Sequence, residues 1–176
     1  MKRHSNTSHR FNINLDEPDS NPSVVPLFFL SELAARNVKV VMSEEGADEL
    51  FAGYIDYSWH SNSMTVRKLG EALKKLSQSK RHKLSEYLKK LPNFPGKLHL
   101  LKAVQPAEEY FIGQALVFTE EEASAIVKPE YRKSPSVKDI VMDKYAKVKN
   151  LSEIKKMQYL DMHQWMPGDI LLKADK

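Results

Sequence analysis

The run Val38-Lys39-Val40-Val41-Met42 constrains this chain more than any other. It is β-branched, carries one charge and ends at the polar cluster that starts at Ser43, so it reads as a buried strand. It is the only convincing strand in 176 residues. The backbone N–H and C=O groups of a strand need a neighbour, and one strand makes no sheet. A helix leads into it and another follows, which is half of an α/β unit whose sheet would be mostly parallel. The first 20 residues are polar and turn-rich, and there only Phe11, Ile13 and Leu15 alternate as a second short strand would. We therefore expect a mostly helical chain with one or two strands. Val38 to Met42 would then be an edge, paired only with Phe11 to Leu15 or with another chain.

Helices account for the rest. Asn21-Pro22 offers a capping residue followed by proline at a first helical position, and Leu27, Leu30, Leu33 and Ala34 recur at helical spacing up to Asn37. Beyond Ser63, Met64, Leu69, Leu73 and Leu76, and then Leu84, Tyr87, Leu88 and Leu91, mark two amphipathic helices with Lys and Glu between the apolar positions. Pro92 and Pro95 break the second of these, and Pro106 opens a third that runs through Tyr110 and Ile112. Thr119 with Glu122 forms a capping box for a fourth, which ends at Pro129. Ser136 to Val148 and Leu151 to Met166 give two more, the last stopping before Pro167-Gly168. No repeat or low-complexity tract interrupts the pattern, and the division is into an extended segment, 1–20, and one partial domain, 21–176.

Composition removes several function classes. The chain has no cysteine, which excludes disulfides, thiolate metal sites and cysteine nucleophiles. Its longest apolar run, Val24 to Leu30, is interrupted by Pro26 and is far below the roughly 20 residues of a membrane helix, so no membrane partner is expected. Met1 to Asn6 is basic but has no apolar core after it, so it is no secretory signal, and a cytoplasmic location is expected. The 27 Lys and Arg exceed the 23 Asp and Glu by four, a modest basic excess. The lysines between Lys74 and Lys90 alternate with leucines as a solvated helix face does, so we expect no nucleic-acid partner. His60, His82, His99 and His163 lie at no metal-ligand spacing.

The chemistry concentrates where the strand ends. Ser43-Glu44-Glu45-Gly46-Ala47-Asp48-Glu49-Leu50-Phe51-Ala52-Gly53-Tyr54 reads as a tight polar loop entering a short helix, with the four carboxylates of Glu44, Glu45, Asp48 and Glu49 crowded together. In open α/β sheets ligands sit at the carboxyl ends of strands, and a helix amino terminus there offers amide donors to anions. Crowded like charges are either spread by solvent or held by a cation. A plainer reading also accounts for them: Ser43 caps the helix and the acids favour its positive end.

This segment resembles the signature of glutamine-dependent asparagine synthetases and β-lactam synthetases, a strand followed by Ser-Gly-Glu-Gly-Ala/Ser-Asp-Glu-Leu-Phe-Gly-Gly-Tyr. Three further stretches agree in order: Asp16-Glu17-Pro18 with Asn21-Pro22-Ser23, the helix Leu27 to Ala34, and Trp165-Met166-Pro167-Gly168-Asp169-Ile170-Leu171-Leu172-Lys173-Ala174-Asp175-Lys176. The resemblance implies an α/β fold of the adenine nucleotide alpha hydrolase type, here truncated. It also implies a domain that activates a carboxylate with ATP and Mg²⁺, after which ammonia derived from glutamine attacks the acyl-adenylate to give an amide, asparagine where the acceptor is aspartate. By the same resemblance Ser43 and Gly46 lie beside the nucleotide, Glu45 is the acid–base residue and Asp48 holds Mg²⁺. Glu49 is structural, and Asp169, Lys173 and Asp175 are family positions without an assigned role.

Two residues depart from the pattern: Glu44 stands where the family has glycine, and Ala52 replaces the first glycine of the pair before Tyr54. The family's pyrophosphate loop, Ser-Gly-Gly-x-Asp-Ser, has no counterpart, because the chain contains no Gly-Gly pair. The family's amidotransferase domain and its downstream catalytic lysine are not represented either. We therefore expect a central fragment of such a synthetase domain, inactive in isolation. The rival expectation is a non-catalytic helical interaction or regulatory module derived from the same fold.

Overall fold

Asn21 starts the described chain with a side-chain turn. Its Oδ1 accepts from the Ser23 backbone N–H at 3.0 Å and from Ser23 Oγ at 2.7 Å, and α1 (Val24–Ala35) follows directly. A computed structural model describes residues 21–57, 64–114, 116–133 and 135–174. The expected extended segment 1–20, with its short strand at Phe11 to Leu15, lies outside the described residues.

The strand expected at Val38 to Met42 does not form, and the described residues contain no β-strand at all. The segment runs irregularly through solvent, with Val40 81% and Met42 94% exposed. β-propensity measures fit to a paired, half-buried surface, and no other strand among the described residues supplies that surface. The mostly helical part of the expectation holds. Helix α1 shows the same lack of cover. Its sequence is apolar apart from Ser31 and Glu32, which suits a helix built mostly for an interior, yet Val25, Phe29, Leu30 and Leu33 are all about half exposed or more.

The short helix α2 (Ala47–Phe51) leads through a 3-10 turn, Ile55–Tyr57. Three helices then pack as a trio, in which α3 (Met64–Lys74) and α4 (Gln78–Lys90) both lie against α5 (Lys97–Val104). Helix α5 sits where the prolines had suggested a break. Gly96 starts it at φ +90°, a conformation that costs a side-chain-bearing residue, and a Cβ there would stand 3.1 Å from Val66 Cγ2 of α3. The helix expected from Pro106 is only a 3-10 turn, Ala107–Glu109. Helix α6 (Glu120–Ile126) carries the expected capping box, with the Glu122 N–H donating to Thr119 Oγ1 and the Thr119 N–H to Glu122 Oε2. A 3-10 turn at Pro129–Tyr131 separates it from α7 (Val137–Lys147), and α8 (Glu153–His163) follows.

The chain does not stop helically at Pro167. A π-turn, Met166–Ile170, leads straight into α9 (Leu171–Ala174), because a proline in the first turn removes only an N–H that has no partner there. The core lies between α7, α8 and the two 3-10 turns, where Tyr57, Ala107, Phe111, Val141, Tyr145, Val148, Met157 and Leu160 are buried together. Its two buried tyrosine hydroxyls are satisfied: that of Tyr145 donates to the Phe111 carbonyl at 2.8 Å and that of Tyr57 to Asp161. Lys156, buried, bridges Glu108 at 2.8 Å and Glu153 at 3.2 Å, which ties α8 to the Ala107–Glu109 turn. Among the described residues no helix is long and apolar enough to cross a membrane.

Candidate active site

The acid-rich loop enters α2 through Gly46, which is buried at φ +86°. A Cβ at that position would lie 2.7 Å from Met166 Cε, so the loop backbone is pressed against the carboxy-terminal π-turn and only glycine fits without adjustment. Gly46, not Ser43, stands at the amino terminus of α2, so the plain capping role proposed for Ser43 is not observed. Ser43 and Glu44 are exposed. Glu44 keeps an ordinary negative φ, since Ala52 is the one non-glycine residue at positive φ among those described. The missing family glycine at position 44 therefore imposes no backbone strain. At position 52 it does matter, because Ala52 closes α2 at φ +58°, the left-handed conformation that glycine adopts freely.

The four carboxylates do not act as a cluster. Glu45, half-buried, faces Lys173 of α9 with Oε1 3.6 Å from Nζ, and the Lys173 side chain is only 5% exposed. The same ammonium donates to Ser23 Oγ at 3.0 Å. Beside it, Asn21 Nδ2 donates to Asp169 Oδ1 at 2.7 Å. The Asn21-Pro22-Ser23 turn, the loop at Glu45 and the segment Asp169 to Lys173 thus meet, although about 150 residues separate the first from the last. Asp175 lies outside the described residues.

Asp48 occupies the first turn of α2, as expected. With no strand end to face, its carboxylate folds over Gly53, where a Cβ would collide with Oδ1, and the residue remains exposed. Glu49 points the other way and is buried. It accepts from the Tyr54 hydroxyl at 2.6 Å, while Gln158 of α8 donates to the carbonyls of Glu49 and Leu50 at 2.9 Å each. Burial, reinforced by the Glu49 carboxylate, pushes the Tyr54 hydroxyl well above its ordinary pKa and keeps it a donor. Trp165 Nε1 donates to that hydroxyl at 3.4 Å, closing a second link between loop and carboxy terminus.

Spacing in sequence could not pair Lys173 with Glu45 or with Ser23, since both contacts are set by how the distant segments fold together. The available signal was their shared membership of the motif-like stretches. Among the described residues no three His, Asp or Glu side chains gather as a metal cage. In the loop the carboxylates of Glu44 and Asp48 are exposed, while Glu45 is half-buried and Glu49 buried.

Comparison with known proteins gives a consistent result. The profile of the Asparagine synthase family matches residues 9–176. Asparagine synthetase (glutamine-hydrolyzing) 1 of Bacillus subtilis (strain 168) is 35% identical over 161 residues, which is 92% of this chain and 24% of that protein. A putative asparagine synthetase (glutamine-hydrolyzing) of Mycobacterium bovis is 36% identical over 163 residues, again 92% of this chain and 24% of the relative. The chain thus spans about a quarter of the length of the curated relatives it matches, 24% in both cases. No solved structure matches it.

Proposed function

The chain belongs to the asparagine synthase family, and on that premise we propose that it is the central part of the ATP-dependent ligase domain of an amide-forming synthetase. Its substrates would be ATP, a carboxylate such as aspartate, and ammonia released from glutamine. The observation that carries this reading is the meeting of Asn21 to Ser23, Glu45, and Asp169 to Lys173 in one place. Three stretches that resemble family motifs come together at a half-buried carboxylate, and this supports a use for it.

In this reading Glu45 is the acid–base residue, and it takes a proton as ammonia adds to the activated carboxylate. Lys173, buried and shared with Ser23, fixes the direction of that carboxylate. Ser43, exposed at the loop, would lie beside the nucleotide, and Gly46, buried against Met166, would hold the loop in place next to it. Asp48 would hold Mg²⁺ delivered with ATP, and the ion would neutralise charge on the departing pyrophosphate. The test is a chimera in which residues 9–176 replace the matching stretch of the Bacillus subtilis protein. Aspartate-dependent ATP–pyrophosphate exchange that persists in Glu45→Gln, while ammonia-dependent amide formation falls about 100-fold, supports the proposal, in line with general acid–base contributions. A folded chimera without exchange, or one whose amide formation is indifferent to Glu45→Gln, overturns it.

A second reading has its own observation. Val25, Phe29, Leu30 and Leu33 of α1, and Val38, Val40, Val41 and Met42 after it, are large apolar residues left exposed close together in the chain, and exposed apolar area of this kind marks an interaction site. We propose that copies of this chain associate through it, as a non-catalytic interaction module would. Light scattering that shows a strict monomer at high concentration rules this out, and a dimer that is lost on Val40→Lys supports it.

A further inference from the structure

A second cleft opens away from the acid loop, where the trio α3, α4 and α5 meets the start of α8. It encloses about 290 Å³, and neither Ser43, Glu45, Gly46 nor Asp48 lines it. That is room for a compact ligand, since a water takes roughly 30 Å³. Three helices each bring a cation to its wall: Lys74 ends α3, Arg81 comes from α4 and Lys102 from α5. Asp56 and Glu153 are the acids of the lining, and both are engaged. Asp56 Oδ1 pairs with Lys102 Nζ at 3.1 Å. Glu153 accepts from the Ala107 backbone N–H and pairs with Lys156 at 3.2 Å.

Arg81 differs from these, because its Nε is buried and makes no hydrogen bond. A buried donor without an acceptor is a standing penalty that a bound acceptor would relieve. Lys74, at the end of α3, stands beside Arg81 and keeps part of its side chain exposed. Burial pushes its pKa down and the neighbouring Arg81 adds to that, while Glu153 and Glu71 act against it. Ser152, before the 11-residue α8, also lines the cleft, and its side chain caps nothing, so the first-turn N–H groups of that helix add positive potential. Tyr110, Ile154 and Met157 complete the wall with apolar surface.

We propose that this cleft binds a phosphoryl dianion, held by Arg81 and Lys74 near the first turn of α8, with the apolar wall able to take a small organic group attached to it. Donors arriving from three helices suit a tetrahedral group with acceptors in several directions better than a planar carboxylate, which one guanidinium fork satisfies. Free phosphate and a small phosphate ester share this chemistry. The site does not depend on the ligase reading, because none of its residues belongs to the acid loop.

The test titrates the 176-residue chain by calorimetry with inorganic phosphate, glycerol phosphate and acetate at fixed ionic strength. Saturable binding of either phosphate, with acetate weaker, is expected. Tighter binding of the ester identifies an organic phosphate as the ligand, and equal binding identifies free phosphate. Arg81→Gln should weaken binding at least about tenfold and Arg81→Lys, which keeps the charge but loses the fork, several-fold. Lys138→Gln, exposed on α7, should leave it unchanged. Circular dichroism checks each fold, and Lys74→Gln replaces Arg81→Gln if the latter unfolds. Absence of saturable phosphate binding, or equal affinity in the folded Arg81 and Lys74 variants and the wild type, overturns the proposal.

Discussion

Asp161 is fully buried on α8, and its charge should make the chain more stable in mild acid than at neutral pH over a defined window. Its carboxylate accepts from the Tyr57 hydroxyl and from the Gln114 backbone N–H at 3.2 Å. These bonds favour the ionised form, but desolvation outweighs them and Glu49 adds repulsion, so the pKa rises from 3.8 to about 6. Between those two values the folded chain binds more protons than the unfolded chain, so stability falls as pH rises through the window. A gap of about two pH units corresponds to about 3 kcal/mol, gained below pH 4 and lost above pH 6. Other carboxylates oppose this trend: Glu86 and Glu122 are held below their usual range by Lys89 and by Thr119 respectively, and both favour higher pH. Comparison with Asp161→Asn cancels them, because the amide resembles the protonated acid and does not titrate. Urea unfolding of both proteins from pH 4 to pH 8 should show wild type gaining about 2–3 kcal/mol relative to the variant on acidification. Parallel pH profiles would refute the reasoning.

Three further outcomes are expected. Gly46→Ala should lose about 1–2 kcal/mol in urea unfolding because it forces a side chain into the left-handed region, and it also sets a Cβ against Met166; a variant as stable as wild type would show that the loop is not held as described. Lys156→Met should lose about 3 kcal/mol, because Glu108 and Glu153 are left without their shared cation, and a shift below about 1 kcal/mol would contradict the burial of that bridge. The purified chain should show no pyrophosphate exchange with ATP and aspartate, since it has no Gly-Gly pair from which to build the family's phosphate loop; exchange above background would refute this.

Helices were legible where periodicity and caps agreed. The Thr119–Glu122 box is complete in the sequence because all its atoms lie within four residues. Helix α5 was hidden by Pro92 and Pro95, although Leu100 and Val104 already stood at helical spacing and Gly96 supplied the start. Pro106 gave only a 3-10 turn and Pro167 did not end the chain's winding, since a proline near a helix start signals either boundary equally well. The failed strand has a different cause. Val38 to Met42 has the residues of a strand, but strand formation depends on a partner, and none is present among the described residues. The acid loop was visible as composition, and Asp48 stands in the first turn that composition implied. The pairing of Glu45 with Lys173 was not visible, because contacts across well over a hundred residues are fixed by packing and leave no local pattern.

The meeting of the Asn21 turn, the Glu45 loop and the α9 segment can be tested directly because the chain has no cysteine of its own. Cysteines introduced as Asn21→Cys with Asp169→Cys, and as Glu45→Cys with Lys173→Cys, would be treated with a short bifunctional thiol reagent and the linked peptides identified by mass spectrometry. The account predicts intramolecular linkage of both pairs in the dilute chain and none for Asn21→Cys with Lys138→Cys. Unlinked pairs in a folded chain, or linkage no greater than that of the control pair, would contradict it.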